Sequence, residues 1–308
     1  MKGKIIKGIA GFFYVEPSES NNKLNDKPNN KQIYECKARG KFRNSKQTPL
    51  IGDLVEISTT YYEGSEKGDF LQGTIDEILP RKNQLFRPSV ANVDQGIIVF
   101  SLSYPTIHLD LLDRFLIMMA AAEIDAIIVL NKLDEAINDQ YKEIVEGYRL
   151  TGYNVLCTSA KDGHINEVKN ILKDKTSFFA GPSGVGKSTL LNTICPNFHL
   201  ETGKMSEKIK RGKHTTRHTE LLNLTFGGYV LDTPGFTSLK FEDIDINSLK
   251  NYFIEFAQYE GQCKFNGCTH THEPNCAVKN AVNSGQIYKA RYDSYVNYFK
   301  ELQNIKKW

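Results

Sequence analysis

The feature that most constrains this 308-residue chain is the octapeptide from Gly181 to Ser188, which reads GPSGVGKS. It fits the G-x-x-x-x-G-K-[ST] pattern of a phosphate-binding loop, and it stands where that pattern requires, between an apolar strand-like segment and a helix-like one. Glycines allow successive backbone N–H groups to curve around a phosphate, and the positive end of the helix dipole adds to the attraction. We therefore predict a nucleotide-binding α/β domain, with Lys187 on the β- and γ-phosphates and the Ser188 hydroxyl on Mg²⁺. The predicted phosphate-binding residues are Gly181, Pro182, Ser183, Gly184, Val185, Gly186, Lys187, Ser188 and Thr189.

A second motif selects the base. The tetrapeptide Asn131-Lys132-Leu133-Asp134 ends an apolar strand-like segment and matches the N-K-x-D signature of GTPases. In that signature the aspartate accepts hydrogen bonds from the guanine ring N–H and exocyclic amine, and adenine lacks both donors. Alone, the tetrapeptide fits a helix cap better, but beside a phosphate loop it predicts a guanine site. The companion base-contacting element is predicted at Ser159, Ala160 and Lys161.

A third motif is predicted to sense the γ-phosphate. The sequence DTPG, from Asp232 to Gly235, resembles the D-x-x-G element, in which the aspartate supports the Mg²⁺ shell and the glycine amide contacts the phosphate. A type I or II turn is the alternative interpretation. The basic loop 208–218 precedes it and offers two threonines for Mg²⁺, of which we prefer Thr216 narrowly over Thr215.

The residue after Gly235 departs from the common GTPase pattern. Phe236 stands where many GTPases carry the glutamine that orients the attacking water,. Because a phenyl ring cannot do this, we expect slow intrinsic hydrolysis and a polar group supplied from elsewhere in the protein or by a partner. His214, in the basic loop, is the internal catalytic candidate, and an exposed histidine without a catalytic role is the alternative.

The regions on either side of these motifs differ in type, so we predict three domains. Residues 1–82 read as short strands separated by turn signals, which indicates a small barrel or a sandwich. We predict the barrel, which with five strands at this size would be of the OB-fold type. Residues 83–242 alternate strand-like and helix-like segments, which predicts a largely parallel sheet covered by helices. Residues 243–308 are predicted to form a helical domain around a cluster of cysteine and histidine residues.

That cluster reads Cys263-x₄-Cys268-x-His270-x₅-Cys276. Three thiolates and one imidazole within a short segment suit a single tetrahedral zinc ion in a closed, structural site. His272 is a competing ligand on local chemistry. Three reduced cysteines that bind no metal are the alternative interpretation.

Composition and hydropathy argue against a disordered chain and against a membrane-spanning helix, but they do not identify a partner. With 40% hydrophobic and 24% charged residues the chain is not of the disordered class, and a net charge of +3 does not by itself identify a partner,. The best apolar run, 115–122, is far shorter than the ~20 residues that a membrane-spanning helix needs. No small-residue cleavage pattern follows the amino-terminal segment, so we expect a cytoplasmic protein that does not associate with membranes.

The order of the motifs is unusual. In most GTPases the phosphate loop comes first, whereas here Asn131 and Ser159 precede Gly181 and Asp232, as a circular permutation would give,. This order, the β-rich amino-terminal domain and the Cys/His tail resemble the small ribosomal subunit-dependent, circularly permuted GTPases of bacteria over essentially the whole chain.

The resemblance implies both the cofactors and the biological role. It implies one structural zinc per chain and Mg²⁺ bound together with GTP. It further implies a partner, the 30S ribosomal subunit with its rRNA, which stimulates hydrolysis of GTP to GDP and phosphate during late 30S maturation and from which the protein is then released. We expect a monomer. The zinc ligands that the family pattern implies are Cys263, Cys268, His270 and Cys276.

Two other functions remain open on the sequence. One is a permuted GTPase that acts on the large subunit, against which the β-rich domain and the Cys/His cluster argue. The other is a nucleotide-gated RNA-binding module in which hydrolysis is incidental.

Overall fold

The computed structural model describes residues 1–18, 32–44, 47–59, 71–86, 89–136, 139–198, 200, 219–232, 241 and 244–305. These residues divide into two compact units, described in turn below. The first unit draws on the ranges 1–94, 172–178 and 208–234, and the second on 95–171, 179–207 and 235–308. The three predicted domain ranges stay a prediction.

Strands and helices follow one another along the chain as follows. The strands are β1 (Lys2–Ile9), β2 (Phe12–Pro17), β3 (Tyr34–Ala38), β4 (Leu54–Thr59), β5 (Leu71–Ile78), β6 (Gln84–Phe86), β7 (Ser89–Ala91), β8 (Gln95–Ser101), β9 (Asp125–Asn131), β10 (Asn154–Cys157), β11 (Thr176–Ala180), β12 (Glu220–Asn223) and β13 (Tyr229–Asp232). The helices are α1 (Lys41–Asn44), α2 (Leu109–Ala121), α3 (Tyr141–Leu150), α4 (Asn166–Leu172), α5 (Lys187–Ile194), α6 (Ala277–Asn283) and α7 (Lys289–Asn304). Of the helices in the described ranges, none is long and apolar enough to cross a membrane.

A closed five-stranded barrel forms the core of the first unit. Its strands pair in the order β1-β2-β3-β5-β4, and β4 pairs back onto β1. Only the β3–β5 contact among these pairs is parallel. Alternate positions point inward, as a strand's two-residue period requires, and the fully buried members include Ile5, Val15, Cys36, Val55 and Ile75,. The predicted OB-type barrel is confirmed.

The first unit also contains the strands that lead to the D-x-x-G sequence. Strands β12 and β13 form an antiparallel pair, and β13 runs parallel to β11 with Leu231 opposite Phe178. Barrel strand β1 pairs with β12 at Lys7 and Glu220, whose side chains form a 2.5 Å salt bridge. The barrel is therefore joined to β12 by backbone pairing as well as by the chain.

Three parallel strands form the centre of the second unit, in the order β10-β9-β8. Every residue of β8 is buried, as expected of a strand in a parallel sheet that is covered on both faces,. Helix α2 places Leu112 and Leu116 in the core at helical spacing,. The expected alternation of parallel strands and helices is confirmed.

The carboxy-terminal segment of the second unit, residues 244–305 and called the tail below, packs through aromatic rings. Phe253 and Phe256 stack on each other with ring centroids 5.2 Å apart, and each meets the Tyr295 ring edge-on at 5.0 Å. Ile117 of α2 belongs to the same buried cluster, and the Tyr298 hydroxyl donates a hydrogen bond to the carbonyl of Asp110. Helix α7 therefore lies on α2.

A fully buried arginine adds a polar anchor to this contact. Arg291 of α7 donates to Asp113 of α2 and to Glu255 of the tail, both at 2.9 Å, and all three side chains have at most 2% exposure. The hydroxyls of Tyr148 and Tyr153 complete the group, which we call the Arg291 cluster. Two carboxylates thus share one guanidinium, and burial raises the pKa of Glu255 although Arg291 opposes the shift,.

Candidate guanine-nucleotide and metal sites

The phosphate loop has the backbone that its glycines predict. Gly181 has φ +133°, and a Cβ there would lie 2.0 Å from the carbonyl oxygen of Val99 in β8. Gly186 has φ +95° and caps α5, and a Cβ there would lie 2.4 Å from the Asn131 amide nitrogen. Side chains are excluded at both positions, by backbone conformation and by space. Val185 is buried beneath the loop, whereas Ser183, Gly184 and Thr189 are exposed.

Lys187 at the start of α5 folds back over this loop. Its ammonium donates to the carbonyl oxygens of Gly181 and Pro182, at 2.8 and 2.7 Å. Burial lowers the pKa of this amine to about 8, because the charged form loses hydration there,. Ser188 follows, half-buried in the first turn of α5. The loop therefore has the backbone conformation, and Lys187 the position beside it, that a phosphate-binding loop requires.

Asn131 links the base-selecting motif to the phosphate loop. Its side chain is buried, and its amide N–H₂ donates to the carbonyl of Val185 at 2.9 Å. Its carbonyl oxygen accepts from the Thr158 hydroxyl at 3.1 Å and from the Ala160 backbone N–H at 3.3 Å. One side chain thus holds three loops in register. Thr158 was not among the predicted residues, since a threonine before Ser159 carries no distinguishing sequence signal.

The Asp134 carboxylate is held by residues of the second base-contacting element. Ser159 Oγ donates to its Oδ1 at 2.7 Å, and Lys161 Nζ lies 3.8 Å from its Oδ2. The Ser159 hydrogen bond is the largest cause that lowers the pKa of Asp134, so the carboxylate is fully ionised at neutral pH,. Both sequence-predicted base-contacting elements therefore converge on one carboxylate.

The loop after β8, which contains Ser103 and Tyr104, contacts the N-K-x-D turn, and the sequence did not predict this contact. Lys132, in a left-handed conformation with φ +65°, donates from its ammonium to the carbonyl of Tyr104. Ser103 Oγ donates to Glu135 at 2.6 Å. These contacts hold the loop beside the N-K-x-D turn, a placement that depends on strand order and not on any local motif.

Several predicted residues lie at or beyond the edge of the described part. Asp232 is the last residue of β13, one position after Leu231, which pairs with Phe178 of β11. Its side chain is not described. Thr215, Thr216, His214, Gly235 and Phe236 fall outside the described residues, so their predicted roles stay predictions.

The four predicted metal ligands of the tail converge. One ligand atom from each of Cys263, Cys268, His270 and Cys276 lies within 4.8 Å of the others, and together they form a cluster that could hold a metal ion. His272 is exposed and is not part of this group.

Spacing within the cluster fits a tetrahedral ion. The sulfurs of Cys263 and Cys276 are 3.8 Å apart, and His270 Nδ1 lies 3.6 and 3.3 Å from them. Two sulfurs bound at about 2.3 Å to one zinc would themselves lie about 3.8 Å apart at the tetrahedral angle. Four donors would fill all the positions of a tetrahedral ion and leave open none of the kind that a catalytic metal needs, and His270 and two of the cysteines are buried,. The donor set therefore fits a structural zinc.

The fold and the site together define a class of protein: a phosphate-loop GTPase whose motifs occur in circularly permuted order and follow an OB-type barrel along the chain. A family model described as RsgA GTPase matches residues 78–242, and one described as RsgA N-terminal domain matches residues 2–65. The chain belongs to the RsgA GTPase family and is accordingly a GTP-hydrolysing enzyme.

Relatives of full length support this membership. Proteins from Alkaliphilus metalliredigens and from Caldanaerobacter subterraneus subsp. tengcongensis are each 47% identical over 308 residues; all of this chain is covered, with 99% and 97% of the relative. Both are named small ribosomal subunit biogenesis GTPase RsgA.

Solved structures agree with the fold. The crystal structure of YloQ, a circularly permuted GTPase, matches with a TM-score of 0.81 at 39% identity, covering 100% of this chain and 96% of that one. YjeQ from Thermotoga maritima matches with a TM-score of 0.80 at 36% identity, covering 99% of both chains. The predicted circular permutation is confirmed.

Proposed function

We propose that this chain is a GTPase of small ribosomal subunit biogenesis, and that it binds the 30S subunit and its rRNA with GTP in place. Its similarity over the full length to relatives named for that role carries the proposal. Assembly of the subunit takes place in the cytoplasm, so we place the protein there, acting as a monomer. The RNA-binding module with incidental hydrolysis is the function that the experiment below is designed to exclude.

In this proposal the guanine is selected at Asp134. Its two oxygens accept from the guanine ring N–H and amine, while Ser159 keeps the carboxylate ionised and oriented. Asn131 sets the distance between base and phosphates, because it bonds to the phosphate loop through Val185. Adenine lacks both donors, so the two hydrogen bonds that guanine makes to this carboxylate would not form and adenine nucleotides would bind more weakly.

Hydrolysis would use the groups at the phosphate end. The backbone amides of the loop and Lys187 bind the β- and γ-phosphates. Mg²⁺ would be held by Ser188 and Thr216 with support from Asp232, and it would neutralise charge that develops between the β- and γ-phosphates. Gly235 would sense the γ-phosphate. His214 is the proposed group that positions the attacking water, since Phe236 cannot.

The Cys/His cluster would hold one zinc ion as a structural element. Three thiolates and the His270 imidazole make up a complete tetrahedral set, so zinc would stabilise the tail and take no part in hydrolysis,. The cycle we propose ends with GTP hydrolysis stimulated by the subunit, followed by release of the protein.

Turnover measured with and without purified 30S particles tests the proposal. We expect slow basal hydrolysis and an increase of about 10³-fold or more, the scale on which a positioned catalytic group acts in GTPases. Purified 50S particles are the control for a large-subunit GTPase, and ATP is the control for base choice. Tight 30S binding with no change in turnover would favour the RNA-binding module instead.

Two variants sharpen this test. Asp134→Asn should lose GTP turnover and recover it with xanthosine triphosphate, since the amide then pairs with the altered base edge. His214→Ala should lower the stimulated rate far more than GTP affinity. An unchanged stimulated rate would remove His214 from the mechanism while leaving the rest of the proposal intact.

A further inference from the structure

Glu273 lies between two of the cluster's ligands in sequence, yet it is not one of them. Its Oε1 accepts from the backbone N–H and the hydroxyl of Thr269, both at 2.7 Å. Its Oε2 accepts from the backbone N–H groups of Thr271 and His272, both at 3.2 Å. Four donors thus surround one carboxylate, and its oxygens are engaged in hydrogen bonds instead of facing the cluster.

The donors belong to the loop that carries the ligand His270. His270 itself has φ +60°, a left-handed conformation that a residue with a side chain rarely adopts,. Its neighbours on both sides, Thr269 and Thr271, donate their backbone N–H groups to the same carboxylate. A single side chain therefore fixes the backbone before and after the strained position.

Other contacts hold different parts of His270. Tyr292 donates its hydroxyl to the His270 carbonyl at 2.8 Å, and the Phe256 ring packs edge-on against the imidazole at 5.7 Å. These contacts position the carbonyl and the ring plane. Among the described contacts, Glu273 is the one that holds the amides on both sides of the residue.

We propose that Glu273 is a positioning residue for the metal site, holding the His270 loop in the left-handed turn that aims Nδ1 at the three sulfurs. The inference rests on the proposed zinc site. Groups that orient a metal ligand from outside the coordination sphere typically change metal affinity by about 10–100-fold when replaced. We expect a change of that size here.

The test compares zinc release from full-length variants to a chromophoric chelator. Glu273→Gln retains an oxygen for Thr269 but presents an amide to the N–H groups of Thr271 and His272, which cannot donate to it. Release should be about 10–100-fold faster than from the unsubstituted chain. Glu273→Asp, which keeps the charge on a shorter stem, should be intermediate. Glu260→Gln removes an exposed carboxylate of the same tail and should behave as unsubstituted.

A second readout separates positioning from general stability. A merely structural Glu273 would lower the thermal midpoint equally in zinc-loaded and zinc-free protein. Positioning predicts instead that the rise in midpoint caused by zinc becomes smaller, because ligand-linked stability follows affinity. Should Glu273→Gln fail to fold, Thr269→Val removes one donor alone and should still speed release by about two- to tenfold.

The outcomes are distinct. Release from Glu273→Gln within twofold of the Glu260→Gln rate, or equal midpoint losses with and without zinc, would overturn the role of Glu273 alone. An unsubstituted chain that binds no zinc would overturn the zinc proposal and this inference together.

Discussion

The guanine site and the Cys/His cluster each bring several polar side chains together, but the two sites differ in how those side chains are hydrogen-bonded. In the guanine site the side chains bond to one another, as Asn131 does with Thr158 and Asp134 with Ser159. In the cluster, three thiols and an imidazole crowd together with only weak mutual hydrogen bonds. The first site is therefore arranged by the protein's own hydrogen bonds, whereas we expect the ligands of the second to depend on a bound ion.

Loss of the metal should produce the largest effect. We expect Cys276→Ser to lower the zinc content from about one per chain to near none and to reduce hydrogen-exchange protection of the segment 263–276, since metal binding adds directly to the stability of the residues that form the site. Metal analysis together with hydrogen exchange of tail and barrel peptides would measure it. Cys36→Ser, at a buried cysteine of the barrel, is the matched control and should keep its zinc. If the tail peptides remain fully protected from hydrogen exchange without zinc, the proposed difference between the two sites is wrong.

The Arg291 cluster should give the next largest effect, because its two carboxylates depend on one cation. Arg291→Met should cost about 3–5 kcal/mol in urea unfolding, the usual result of leaving a buried charge unpaired. Without Arg291 the pKa of Glu255 should rise further above its unfolded value. A raised carboxyl pKa favours folding while the group is protonated, so the deficit should be smaller near pH 5 than at pH 8. A pH-independent loss would contradict this explanation.

Ser159 tests whether the guanine site is arranged in advance. Ser159→Ala removes the hydrogen bond that orients Asp134 and the acceptor of the Asp162 N–H, so we expect GTP to bind about tenfold more weakly and the unfolding midpoint to fall only slightly,. Fluorescent nucleotide titration and thermal unfolding measure the two quantities. Ser58→Ala, in the barrel, is the control for a hydroxyl loss elsewhere.

Lys187 should give the smallest effect, a dependence of binding on pH. Its pKa of about 8 in the free site means that the charged fraction falls above pH 8, while bound phosphates restore the charge,. GTP binding should therefore take up a proton near pH 9 but little at pH 7, and affinity should decline as the pH rises through 8. Calorimetry in two buffers of different ionisation enthalpy measures the uptake. Lys187→Met should bind weakly and show none of it.

The parts that sequence could predict are those specified by neighbours along the chain. The phosphate loop, the N-K-x-D turn and the barrel strands each have local signals. Spacing indicated a Cys/His metal site, and the family resemblance selected His270 over His272 as its fourth ligand. The Arg291 cluster was not predictable, since Arg291 and Asp113 are 178 positions apart. Glu273 was missed for another reason: an acidic residue between ligands reads as a solvated side chain until its four donors are seen.

Pairing of β1 with β12 has a practical consequence for work on this enzyme. A chain shortened to begin after the barrel would lose β1, which pairs with β12 at Glu220, and would leave β12 as an edge strand that another chain could pair with,. It would also remove Glu16, the buried carboxylate that accepts from Tyr229 at 3.1 Å in the strand ending at Asp232. Low activity in such a fragment would then report a damaged sheet and say little about whether the barrel takes part in GTP hydrolysis.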